Sequence, residues 1–189
     1  MNAGEAPPPA GAAAASSRRS RRVAVAVPAA AAPAADAPAP DVTIAAAADA
    51  LTALAGGSEA MAVTRGDADV VLTLGEAVSF APGGTDLAPG AEPILAGLRR
   101  IAEAMGDLRI EVVGHTDDRP IRSPRYPSNL ELSLARAARV AHELAAGDAA
   151  LGARIVASGR GPYWPVASND DASGRARNRR VEIRLRPAS

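Results

Sequence analysis

The chain contains no cysteine, no lysine and few aromatic residues. Without cysteine there is no disulfide, no thiolate metal ligand and no cysteine nucleophile. Aromatic residues make up 2% of the 189 residues, so aliphatic side chains and alanine must form the core. Histidine occurs only twice, and without cysteine the two do not predict a metal site. We therefore expect neither a metal nor a cofactor.

The charges of the chain cancel, because 21 arginines stand against 21 acidic residues. A balanced chain lacks the basic field that drives non-specific nucleic-acid binding. Four arginines lie close together near the C-terminus, at Arg175, Arg177, Arg179 and Arg180. We interpret them as solvated side chains or as partners of neighbouring acids, and we expect no nucleic-acid partner.

The first 40 residues consist mostly of alanine and proline. Proline breaks long helices and no large side chain is available to bury, so residues 1–40 are predicted to be a disordered tail. Within the tail, residues 18–37 are typical of a secretory signal, with arginines, a short apolar segment and Ala-x-Ala sequences. The alternative is an alanine-rich tail with a basic patch. No stretch reaches the ~20 apolar residues of a membrane-spanning helix, so none is expected.

Residues 41–60 are predicted to form a short helix or linker that Gly56 and Gly57 end, and residues 61–189 a folded domain. Alternating apolar residues predict strands at 70–74, 108–112, 154–158 and 181–185. Apolar residues at helical spacing predict one helix over 94–105 and another from 128 to near 147. The order β-α-β-α-β-β predicts an α+β fold, a two-layer sandwich with a mixed sheet and helices on one face. The strands flanking the second helix should be parallel.

The second helix has the clearest start signal, since Ser128 and Glu131 form a capping-box pattern. Five apolar residues then lie on one narrow stripe that is predicted to face the core: Leu130, Leu134, Ala137, Ala141 and Leu144. Arg136 lies on the flank of this stripe, so it is predicted to point to a site beside the core.

The densest polar cluster is the Gly-His-Thr-Asp-Asp segment at 114–118, which lies between a predicted strand and a proline-rich loop. Loops positioned by a rigid scaffold often carry function. From spacing alone, however, Asp117 could cap a turn and Arg136 could be an exposed surface charge. Ser133, His115 and Asp117 invite a catalytic-triad interpretation, but the chain has no Gly-x-Ser-x-Gly sequence. We therefore expect no enzyme.

Three ordered motifs resemble those of the OmpA-like peptidoglycan-binding domain family. Residues 114–117 and 129–137 match its GHTD and NxxLSxxRA patterns, and residues 174–183 match its closing GRAxNRRVEI strand. The resemblance covers residues 65–187 and implies the α+β fold of that family.

Within the family, residues 71–80 and 161–169 most resemble the periplasmic domain of the flagellar stator protein MotB. Peptidoglycan anchors of type VI secretion complexes share the long proline loop and are the close alternative. Two departures from the stator pattern stand out. The transmembrane helix with its proton-carrying aspartate has no counterpart here, and residues 81–84 (Ala-Pro-Gly-Gly) replace the usual large residues after Phe80.

The resemblance implies a non-catalytic module of the periplasm or cell envelope that binds peptidoglycan and anchors a complex to it. Peptidoglycan stem peptides commonly carry meso-diaminopimelate, whose free end is zwitterionic. By the resemblance, Asp117 takes the ammonium group and Arg136 the carboxylate, whose geometry suits the planar guanidinium. Thr116 and Asn129 orient the ligand.

The partners that the resemblance implies are peptidoglycan and membrane-embedded stator or secretion-complex subunits. A homodimer is left open. An interpretation from another class is an envelope structural protein that mediates protein contacts and has a degenerate ligand site.

Overall fold

The structure, a computed structural model, describes residues 40–58, 60–81, 83–121 and 123–188. The signal-like segment 18–37, and all but the last residue of the expected tail, lie outside the described residues. The helices are α1 (Pro40–Ala55), α2 (Glu76–Ser79), α3 (Ala91–Ala104), α4 (Asn129–Ala145), α5 (Ala149–Gly152) and α6 (Ala172–Asn178). The strands are β1 (Met61–Arg65), β2 (Val70–Gly75), β3 (Leu108–His115), β4 (Ile155–Gly161) and β5 (Arg180–Pro187).

The strands form one five-stranded sheet in the order β1-β2-β5-β3-β4. β3 and β4, which flank α4, are parallel, and the other neighbours are antiparallel. The mixed sheet and the α+β class confirm the fold predicted from the sequence. β1 was not predicted, because it is a mostly exposed edge strand in which only Met61 and Val63 are half-buried.

The core lies between one face of the sheet and the helices α1, α3 and α4. Alternate residues of each central strand point into it, as the period of two requires. Its largest fully buried side chains are Ile44, Leu51, Leu72, Leu74, Leu95, Leu98, Leu108, Ile110, Leu144, Leu151, Ile183 and Leu185. Within the described residues, no helix combines the length and the apolar character needed to cross a membrane.

Residues 41–60 were predicted to be a short helix or linker in front of the domain, but helix α1 packs into the core of the domain. The helix is present, and Ile44, Ala47 and Leu51 are no more than 1% exposed within the core. It ends at Gly56 and Gly57, whose φ angles of 56° and 74° suit glycine and close the helix. This segment is therefore part of the folded unit.

Helix α4 begins where the capping pattern predicted, since the Ser128 hydroxyl accepts from the Leu130 amide at 3.1 Å and donates to the Glu131 carboxylate. Its buried face differs from the predicted stripe. Leu130 and Leu134 are 44% and 45% exposed, so their assignment to the core is wrong. The buried residues are Leu132, Ser133, Arg136, Ala137, Val140 and Leu144.

Two glycines of the sheet explain why a different face of α4 is buried than the one predicted. A Cβ atom on Gly114 of β3 would lie 2.0 Å from the carbonyl oxygen of Ser133. A Cβ atom on Gly159 of β4 would lie 2.6 Å from the amide nitrogen of Leu134. The main chain of α4 therefore rests directly on the sheet around Ser133, and the two leucines are left at the side of the contact.

Candidate functional site

The candidate site lies at the end of the sheet where β2 and β3 end and β5 begins. β5 is antiparallel to both neighbours, so the start of β5 meets the ends of β2 and β3. This arrangement brings together three charged residues. Glu76 lies just after β2, Asp117 lies two residues after β3, and Arg179 lies just before β5. The Glu76 amide donates to the Arg179 carbonyl at 3.0 Å, which fixes two of these residues side by side.

Four charged side chains form an alternating series here, which we call the ion-pair network: Asp117, Arg179, Glu76 and Arg136. Arg179 Nη1 donates to Asp117 Oδ2 at 2.8 Å. Arg179 Nε donates to Glu76 Oε2, and Arg136 Nη2 donates to Glu76 Oε1. The predicted ligand residues Asp117 and Arg136 are thus linked through two residues that were not assigned to the site.

Arg136 lies on the buried face of α4 and is 3% exposed, so the alternative of an exposed surface charge is wrong. Its Nε donates to the Gly84 carbonyl at 3.0 Å, and its Cζ stands 5.2 Å from the centre of the Phe80 ring. Such close contact of a guanidinium with an aromatic ring is favourable. These contacts fix the position of the guanidinium beside Glu76.

Asp117 is 8% exposed, and its two carboxylate oxygens have different partners. Oδ1 accepts from the Arg119 amide at 3.2 Å, so the residue does cap a turn. Oδ2 takes the ion pair with Arg179. Asn129 supports the same turn, since its Nδ2 donates to the carbonyls of Asp117 and Arg119 at 3.3 and 2.8 Å.

Thr116 is 4% exposed, and its amide donates to the Gly161 carbonyl at 3.0 Å. Within the described residues its hydroxyl has no hydrogen-bond partner. Of the predicted ligand residues, Asp117 and Asn129 are therefore in direct contact, Arg136 joins them through the network, and Thr116 precedes Asp117 in the chain.

A second cluster of ionisable side chains contains His115, Glu182 and Arg180. His115 Nε2 stands 3.7 Å from Glu182 Oε1, and Arg180 Nε donates to the same oxygen at 2.7 Å. The His115 imidazole and then Arg180 lower the pKa of Glu182 to about 2, although burial of the carboxyl group acts in the opposite direction. Arg180 also donates to the carbonyls of Asn178 and Trp164, so this cluster holds the main chain of the 162–178 segment.

The hydroxyl of Ser133, the serine of the triad interpretation, makes two hydrogen bonds to main-chain groups of the fold. It donates to the Leu130 carbonyl at 2.7 Å and accepts from the Gly161 amide at 2.9 Å. The residue is 0% exposed and joins α4 to β4. In the described part of the chain, no group of three or more histidine, aspartate or glutamate side chains could hold a metal ion.

Sequence reasoning missed the site roles of Glu76 and Arg179. Burial lowers the pKa of Arg179, but its hydrogen bonds to Asp117 and Glu76 more than offset this, so the pKa is raised. Arg179 lies in the NRR part of the closing motif, and Glu76 lies two residues after the strand predicted at 70–74. Their contact depends on the pairing of β2 with β5, which local patterns do not reveal.

A cavity of about 310 Å³ opens beside the network. Glu76 and Arg179 line it, together with Gly75, Ala77, Phe80 and Ala176. The network is therefore in contact with open space on the side of these two residues.

Residues 79–179 match the OmpA family, and the chain belongs to this family. The family resemblance that the motifs predicted is thereby confirmed. The peptidoglycan-binding protein ArfA of Mycobacterium tuberculosis is 37% identical over 109 residues, which are 58% of this chain and 32% of ArfA. This chain spans about half the length of several other curated relatives that it matches.

Two solved structures show the same fold. A MotB-like protein from Desulfovibrio vulgaris is 30% identical with a TM-score of 0.70, over 78% of this chain and 93% of that chain. The cell wall anchor of the type VI secretion system from Pseudomonas aeruginosa is 36% identical with a TM-score of 0.67, over 75% of this chain and 97% of that chain. The described domain is thus similar to both groups that the sequence resembled.

Proposed function

We propose that this domain binds peptidoglycan without catalysing a reaction, and that it anchors an envelope complex to the cell wall. Its family, the name of its relative ArfA and the cell wall anchor among its structural neighbours support this function. The location that goes with it is the periplasm or cell envelope.

The observation that carries the proposal is the ion-pair network. The free end of meso-diaminopimelate has one ammonium and one carboxylate group, and it needs a carboxylate acceptor and a guanidinium donor at one place. In our proposal Asp117 takes the ammonium group and Arg136 the carboxylate. Asn129 keeps the turn that carries Asp117 in position through its two carbonyl contacts. Thr116 supplies a buried hydroxyl next to Asp117.

For the complex that is anchored, we propose a flagellar motor of the MotB type, with membrane-embedded stator subunits as partners. The likeness to the MotB-like structure supports this choice. The second candidate is a type VI secretion complex, which the 36% identity to the secretion-system anchor favours. Deletion of the gene separates the two, because loss of swimming indicates the motor and loss of effector secretion indicates the secretion system.

The binding proposal is tested by co-sedimentation of the full chain with purified sacculi, with and without competing meso-diaminopimelate. We expect Asp117→Asn and Arg136→Met each to weaken binding at least about thirtyfold, because truncating one partner of a desolvated charge pair costs ~2–5 kcal/mol. In Arg136→Met the Glu76 carboxylate keeps Arg179 as a partner, so no unpaired buried charge remains. Asp118→Asn and Arg100→Met, both at exposed positions, are the matched controls.

Circular dichroism verifies that each variant is folded. The proposal is rejected if the parent chain stays in the supernatant, or if both site variants sediment as it does. Sedimentation that meso-diaminopimelate does not compete would mean that a different part of peptidoglycan is bound.

A further inference from the structure

Glu76 contacts both arginines of the ion-pair network. One carboxylate oxygen accepts from Arg136 and the other from Arg179, and the side chain is 19% exposed. A carboxylate in this position has the same charge and geometry as the ligand carboxylate that Arg136 would hold. Glu76 therefore already occupies Nη2, one of the two terminal nitrogens of the guanidinium that the proposed function assigns to the ligand.

The other contacts of Arg136 are not exchangeable in the same way. Its Nε donates to the main-chain carbonyl of Gly84, and its Cζ lies over the ring of Phe80, which is 3% exposed. Among these described contacts, only Glu76 is a charged side chain. A ligand carboxylate that binds Arg136 through Nη2 must therefore compete with Glu76 for that nitrogen.

Glu76 can release Arg136 without losing every partner. Its second oxygen stays paired with Arg179, so the exchange breaks one ion pair and leaves the other. The cavity of about 310 Å³ is lined by Glu76 itself and provides space beside the side chain. The Glu76 side chain therefore has room to move away from Arg136.

We propose that Glu76 is an internal competitor that occupies Arg136 in the free site and weakens the binding of carboxylate ligands there. This inference rests on the proposed function. Binding exchanges the Glu76 carboxylate for the carboxylate of the ligand on the same guanidinium. The residue thus sets the affinity of the site while it stabilises the free protein.

The test is calorimetric titration of the full chain with meso-diaminopimelate, together with thermal melting of the same samples. We expect Glu76→Gln to bind the probe about three- to tenfold more tightly and to melt at a lower temperature, because Arg136 loses its carboxylate partner while Arg179 keeps Asp117. Opposite directions of the two effects distinguish competition from a merely structural role, which would lower affinity and stability together.

Two further variants make the result decisive. Glu76→Asp keeps the charge but is too short to hold both arginines, so its affinity should lie between those of the parent and Glu76→Gln. Glu92→Gln, at an exposed position of α3, should match the parent in both measurements. If Glu76→Gln does not fold, Glu76→Asp decides.

Equal or weaker binding by the Glu76 variants, with a parent chain that binds, overturns the inference and leaves the proposed function standing. If neither the parent nor the Glu76 variants bind the probe, the inference fails together with the assignment of meso-diaminopimelate as the ligand. Peptidoglycan binding itself is then decided by the co-sedimentation of the parent chain with sacculi.

Discussion

The two ends of the sheet both depend on arginines, but the arginines have different partners. At the end where β3 and β4 begin, Arg154 donates to three main-chain carbonyls, those of Ala102, Met105 and Leu108, at 2.9, 3.0 and 2.8 Å. At the opposite end, Arg136 and Arg179 pair mainly with side-chain carboxylates. The first arrangement satisfies the Ala102 and Met105 carbonyls at the end of α3, which have no partner within the helix, and joins them to the Leu108 carbonyl of β3.

The two kinds of acceptor give arginine two different roles. An arginine bound to main-chain carbonyls is fixed in the fold, whereas an arginine bound to a carboxylate side chain can exchange that partner for a ligand. A main-chain carbonyl cannot leave its arginine unless the backbone moves, whereas a carboxylate side chain can rotate away and let a ligand take its place. Arginine residues that look alike in the sequence therefore need their acceptors to be known before a role is assigned.

The largest expected effect is that of Gly114→Ala, which would disrupt the packing of α4 on β3 at the end of the sheet that carries the candidate site. The new Cβ would stand 2.0 Å from the Ser133 carbonyl oxygen, which is a main-chain atom of α4, so neither atom can move without a shift of the backbone. We expect a loss of at least about 3 kcal/mol of unfolding free energy, or failure to fold, because overpacking against a rigid neighbour is costly. Urea denaturation measures the loss.

Gly106→Ala is the control for this glycine, since a Cβ there meets nothing within 4 Å. Its stability should stay within about 0.5 kcal/mol of the parent. A fully stable Gly114→Ala variant would contradict the direct contact of α4 with β3.

The next effect concerns the opposite end of the sheet. Arg154→Met removes three hydrogen bonds to main-chain carbonyls, and we expect a loss of about 2–4 kcal/mol, since hydrogen bonds to charged groups are worth ~1.5–3 kcal/mol each and are not additive. Binding to sacculi below the melting transition should be unchanged. Arg100→Met, at an exposed position of α3, is the control. Weakened binding in the folded Arg154 variant would contradict the separation of the two roles.

The smallest effect depends on pH and concerns Glu182 in the second cluster of ionisable side chains. Because the pKa of Glu182 is lowered from 4.5 to about 2, its ionised form stabilises the fold at pH values above 4.5. This contribution is lost as the pH falls from 4.5 towards 2. We expect Glu182→Gln to be about 1–2 kcal/mol less stable than the parent at neutral pH, because solvent screens part of the pairing.

The difference between the two proteins should shrink as the pH approaches 2, and urea denaturation across the acid range measures it. Glu103→Gln, at an exposed position of α3, should follow the parent at every pH. A constant difference across the range would mean that the carboxylate charge of Glu182 is not what stabilises the fold.

Much of the fold was predictable because its signals are local. Alternating apolar residues located four of the strands, and the Ser128 cap located the start of α4. Leu130 and Leu134 were misplaced because helical periodicity says nothing of the surface that a helix meets. Here that surface contains Gly114 and Gly159, and the contact can be found only when the strands are already in place.

The same limit applied to the site. Asp117 lies in a local motif and could be singled out, whereas Glu76 and Arg179 are 103 residues apart and meet only through the sheet. A single glutamate after a strand looks like an ordinary surface residue. Only the pairing of β2 with β5 reveals that it faces an arginine.

The composition of the ion-pair network has a consequence for how fast a ligand arrives. Two guanidinium groups and two carboxylates carry no net formal charge, so their field falls off more steeply with distance than that of a single charge. Salt already screens charges over about 8 Å at physiological ionic strength. A zwitterionic ligand is therefore not steered towards this site from afar, and its association rate should vary little with ionic strength. In the proposed function, salt would therefore change the time that the domain stays on the cell wall only through the rate of dissociation.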